Sequence, residues 1–155
     1  MKKNLIITVI FYFALTLSSY GAASSSSSVS SNYDKGAELI KKAKKLEEKG
    51  KIEKANKRYK KALDYLTKSN EKKPNQPDTL NYLGFALRKI GNFKDAEKYY
   101  LIGLNIKPDH PGINEYLGEL YIQTDRINLA KERLDVLKNC NCEEYEELKE
   151  LLENR

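Results

Sequence analysis

The chain has 155 residues, enough for one ordinary domain or a short stack of repeats. Apolar residues make up 40% and charged residues 32%, normal to slightly polar for a soluble protein; only 4 Pro, with abundant Leu, Lys, Glu and Ala, favour helix. The formal charge of +6 is unevenly spread: Asp34 to Lys73 holds 15 Lys and Arg against 7 acidic residues, whereas Pro74 to Arg155 holds 11 against 15.

Residues 1–23 read as a secretory signal peptide. Lys2 and Lys3 precede an apolar run, Leu5 to Leu17. Those 13 residues span roughly 20 Å as a helix, short of the ~30 Å hydrocarbon core, so a cleaved signal fits better than a permanent anchor. Small residues place cleavage after Gly21 or Ala23, and no Cys follows to carry a lipid. The expected location is periplasmic or secreted. Residues 24–33 are a Ser-rich linker, expected to be disordered.

Helical periodicity begins near Tyr33. Ala37, Leu39, Ile40, Ala43 and Leu46 form one apolar stripe. Gly50 breaks it, and Ile52, Ala55, Tyr59, Ala62, Leu63 and Leu66 form a second, ended by Asn70, Pro74 and Pro77. A second pair of helices is predicted at about 78–90 and 93–106, joined at Gly91-Asn92. A third pair is predicted at about 113–123 and 127–138. A last helix, 143–153, carries Glu143, Glu144, Glu146 and Glu147 in its first turns, where negative charge suits the helix dipole.

The second and third pairs echo each other. Leu83 aligns with Leu117, Gly84 with Gly118, Leu87 with Tyr121, Phe93 with Ile127, Ala96 with Ala130 and Tyr100 with Leu134, each at an offset of 34 residues. Gly84 and Ala96 would let two antiparallel helices approach, with Tyr100 filling the gap. This pattern, closed by Pro108, resembles the tetratricopeptide repeat (TPR) family. The segment from EYLGELY to the paired Cys and CEEYEEL is similar to small exported TPR proteins of proteobacteria. The resemblance implies an all-α, TPR-type α-solenoid of about three antiparallel helix pairs plus a C-terminal capping helix. Its units would be a degenerate repeat at 34–76, repeats at 77–110 and 111–142, and a cap at 143–155.

The family binds peptides or proteins in a concave groove lined by the first helix of each pair. Carried over by position, Asn81, Tyr82, Phe85, Arg88 and Lys89 would line the groove, joined by Glu115, Tyr116, Glu119 and Gln123. Asn81, Phe85 and Arg88 are expected to be at least partly exposed there. The plainer alternative is that Tyr82 and Phe85 only contact neighbouring helices.

Cys140 and Cys142 are the only cysteines. An exported compartment favours oxidation. A local disulfide pinning the cap helix, an intermolecular link or free thiols, and redox or metal chemistry all stay open. Two Cys and one distant His do not make a four-ligand zinc site. His110, the only histidine, reads as a plain loop residue. No phosphate loop, metalloprotease motif or nucleophile elbow is present in the sequence.

The favoured function is therefore a non-enzymatic adaptor or scaffold of the cell envelope with an unidentified protein or peptide partner. No cofactor, metal or small-molecule substrate is expected. One alternative is thiol-disulfide or metal handling by Cys140 and Cys142. Another is binding of anionic lipid or nucleic acid through the basic Lys35–Lys73 helices. Lys outnumbers Arg there, which disfavours nucleic acid, because Arg is the better bidentate phosphate ligand. Peripheral contact with a membrane surface stays open, as does the oligomeric state.

Overall fold

Short connections join seven amphipathic helices, so each helix turns back on the one before it. The computed structural model describes residues 31–155. The helices are α1 (Asn32–Glu47), α2 (Ile52–Lys72), α3 (Pro77–Lys89), α4 (Phe93–Ile106), α5 (Pro111–Gln123), α6 (Ile127–Leu137) and α7 (Glu143–Glu153). Every regular element among the described residues is a helix, and the fold is all-α. The expected signal peptide lies outside the described residues, as does most of the expected linker.

Local chemistry sets the helix ends. Ser31 Oγ accepts the Asp34 N–H at 3.1 Å, and the Asp34 carboxylate accepts the Ser31 N–H at 2.9 Å. This reciprocal cap starts α1 at Asn32, so the linker expected through residue 33 ends earlier. Pro77 and Pro111 open α3 and α5, where a missing N–H costs nothing; α5 thus begins two residues before its apolar stripe. Gly50 and Gly91 turn the chain at φ 66° and 84°. Asp125, at φ 61°, makes the corresponding turn between α5 and α6. The extra residues after Ala62 lengthen α2 to 21 residues.

Helices α1 and α2, α3 and α4, and α5 and α6 pack as hairpins. α2 lies on α3 and α4 on α5, while α1, α3 and α5 touch in succession. α7 closes the far end against α5 and α6. Tyr59 and Tyr100 are fully buried, in two apolar clusters centred on the first and the later hairpins.

Close approach depends on missing side chains. A Cβ on Gly84 would run into the Tyr100 ring, 2.7 Å from Cδ1, as the sequence leads one to expect. The third hairpin departs from its echo. A Cβ on Gly118 would meet Leu148 of α7 at 2.5 Å, while Leu134, the aligned counterpart of Tyr100, is half-buried. The capping helix, rather than the hairpin partner, fills that gap.

Candidate protein-interaction site

The centre of the molecule is an aromatic and cationic stack. Phe85 on α3 lies between Tyr59 on α2, ring centroids 5.9 Å apart, and Tyr116 on α5, 4.7 Å apart. Arg88, one turn further along α3, holds its guanidinium 5.4 Å from the Phe85 centroid and 5.7 Å from that of Tyr116. It donates to Glu119 at 2.8 Å. Burial works against charge on Arg88, yet the adjacent Glu119 carboxylate holds its pKa above the ordinary value.

This packing corrects the expected groove. Asn81 is 8% exposed, and Phe85 and Arg88 are 3% exposed each. None of the three offers a partner a surface. The reason is that α3 is covered on several sides, by α1, α2, α4 and α5, so residues spaced like a free helix face are spent on contacts between helices. Glu115 is buried as well. Tyr82, Lys89, Tyr116 and Glu119 are half-buried, and Gln123 is exposed. Lys89 is tied to Glu47 at 2.8 Å, and the same carboxylate accepts the Tyr59 hydroxyl at 2.9 Å.

Tyr82 and Tyr116 are the groove residues that reach an open surface beside α1. They border a hollow of about 330 Å³ whose other wall includes Ile40, Lys41, Lys44 and Lys45. Lys44 Nζ stands 5.8 Å from the Phe85 centroid. Burial raises the pKa of the Tyr116 hydroxyl, with the neighbouring Glu115 carboxyl adding to the shift. The groove expected by position does not include the α1 lysines. Their spacing of three and four residues on the solvent side of α1 was the available signal, but only the observed contact between α1 and α3 brings them to Tyr82. A second hollow of about 620 Å³ opens among Tyr33, Lys35, Lys72, Lys73 and Asp78, where the start of α1 meets the end of α2.

Glu115 faces α7. Its carboxyl is pushed up to about 10, first by burial, then by the neighbouring Glu147 carboxyl and by nearby Glu119. His110 is no plain loop residue. It is buried, its Nδ1 accepts the Ile113 N–H at 3.3 Å as the cap of α5, and its Nε2 lies 3.0 Å from Asp78 Oδ1. It therefore joins the starts of α3 and α5, a positional role invisible without the fold. Cys140 and Cys142 are joined by a disulfide, with Cα atoms 5.2 Å apart, in the turn before α7. Among the described residues no cluster of three or more His, Cys, Asp or Glu could hold a metal ion, and no helix is long and apolar enough to cross a membrane.

Compared with models of known families, residues 33–83 match the MIT (microtubule interacting and transport) domain, about a third of the chain. No TPR model matches, and the family resemblance drawn from the 34-residue echo is corrected accordingly. The echo records small residues set against large ones, which any pair of closely packed helices demands. The matched segment covers α1, α2 and α3 as far as Leu83, and these three helices all touch one another. It crosses the boundary read between residues 76 and 77. No curated protein matches the chain. Fold and comparison agree on an all-α chain whose first third resembles a helical protein-protein interaction domain.

Proposed function

We propose that the protein is an adaptor of the cell envelope that holds a segment of a partner protein against the surface shared by α1, α3 and α5. The observation that carries this reading is the hollow bordered by Tyr82 and Tyr116 on one side and by Lys41, Lys44 and Lys45 on the other. Tyrosines offer rigid apolar area with a polar tip, and lysines attract carboxylates. The fitting partner is a segment with acidic residues and at least one apolar side chain. The similarity of residues 33–83 to an interaction module supports this, and the export signal read in residues 1–23 supports the envelope location.

The test is a crosslinking pull-down from the envelope fraction with wild type and with Lys41→Glu/Lys44→Glu and Tyr116→Ala variants. A specific protein captured by wild type and lost with both variants is the expected result. Capture that is equal in all three would overturn the assignment of this surface.

A further inference from the structure

The two ends of the helix stack carry opposite charge in matching order. On α2, Lys54, Lys57, Arg58 and Lys61 are all exposed, and Lys68 and Lys72 continue the stripe toward the end of the helix. From Lys54 to Lys72 the stripe runs roughly 27 Å. None of these six meets an acidic side chain within 4 Å among the described residues. On α7, Glu143, Glu146 and Glu150 are exposed with the same intervals of three, four and seven residues that separate Lys54, Lys57 and Lys61. Leu148, on the opposite side of α7, is buried and fixes which face looks outward. Lys149 reaches Glu146 at 3.9 Å and offsets only part of the acidic stripe.

The stripes cannot meet within one molecule. α2 packs against α1 and α3, α7 packs against α5 and α6, and the two make no contact. We propose that the α2 face docks the α7 face of a second copy of this chain, so that copies associate head to tail. Equal residue intervals on two helices let successive lysines meet successive glutamates when the helices lie alongside. Such a contact joins unlike patches and can repeat without closing. A continuous anionic surface fits α2 less well. Exposed Glu53, Asp64 and Glu71 border its stripe, and the acidic face of α7 would be repelled. Lysine point charges also suit discrete carboxylates better than the paired oxygens of phosphate. Exposed ion pairs are individually weak and screened by salt, so the association is reversible and salt-dependent.

Sedimentation velocity of the full chain across ionic strength tests the proposal. Wild type should associate at low salt and lose that association by about tenfold or more at physiological salt. Lys54→Glu/Lys57→Glu/Lys61→Glu and Glu146→Lys/Glu150→Lys should each be monomeric at low salt, and an equimolar mixture of the two should associate again. The second variant keeps Glu143 and Glu144 at the helix start, and circular dichroism verifies that both variants fold. A monomeric wild type at low salt, unchanged association in either variant, or no rescue on mixing would each overturn the proposal. Low-salt sedimentation with anionic vesicles or with DNA, shown by a wild type that does not self-associate, would assign the α2 face to those partners instead. The Lys41→Glu/Lys44→Glu variant should keep self-association, which separates this contact from the proposed partner surface on α1.

Discussion

Arg88 on α3 and Glu119 on α5 form an ion pair at 2.8 Å with the arginine side chain 1% exposed and the glutamate 20% exposed. The pair links two hairpins at the point where the Phe85 and Tyr116 rings meet. Removing the carboxylate alone leaves a buried charge without compensation. Glu119→Gln should therefore cost about 2–3 kcal/mol, and Arg88→Met, which removes the buried charge itself, about 1–2 kcal/mol. Urea denaturation of both variants and of the double variant measures the coupling.

Glu115 gives stability a definite pH dependence. Its folded-state pKa is raised from 4.5 to about 10, with burial the largest cause. The native state holds this proton more tightly than the unfolded chain does. Its contribution is complete below pH 4.5 and is lost as pH rises from there toward about 10. Glu115→Gln should flatten that slope and raise stability at pH 8 by at least about 1 kcal/mol. Equal slopes in wild type and variant between pH 5 and pH 9 would contradict the assignment.

Gly84 is placed under the Tyr100 ring, and Tyr100 is fully buried. Gly84→Ala gains helix propensity yet must displace that ring. Overpacking should win, with a net loss of about 1–3 kcal/mol. A thermal melt at or above the wild-type midpoint would show that the ring moves aside freely.

The Cys140–Cys142 disulfide closes a very short loop. Short loops restrict the unfolded chain little, so Cys140→Ser/Cys142→Ser should cost about 1–2 kcal/mol. α7 should stay docked through Leu148, which is fully buried. Hydrogen exchange across 143–153 checks this. Loss of partner capture in cells by a variant that keeps α7 protected would favour a thiol-disulfide role instead.

Helix identity was largely legible in the sequence because apolar periodicity and Pro, Gly and Ser punctuation are local signals. α4 and α7 begin and end at the residues that the sequence predicts, 93–106 and 143–153. The TPR resemblance did not hold, since the pairing of Gly84 with Tyr100 reflects close packing shared by many helical folds. The site was legible only in part. Tyr82 and Tyr116 are half-buried at the surface, but Asn81, Phe85 and Arg88, expected to be at least partly exposed, are buried, because periodicity cannot count how many neighbours surround a helix. The placing of the α1 lysines beside Tyr82 and of Glu147 near Glu115 depends on pairings between helices that are not consecutive, which no local spacing encodes.

Among the described residues, helix packing runs only between elements one or two places apart in the sequence. Closing such short loops costs little entropy, which is the setting for rapid, low-contact-order folding. It also means that either end can open without disturbing the other. The last region to unravel should be the middle, where His110, Arg88 and Tyr100 knit α3, α4 and α5 together. A pulling experiment from the two termini would then meet its highest resistance there, after both charged ends had already peeled away.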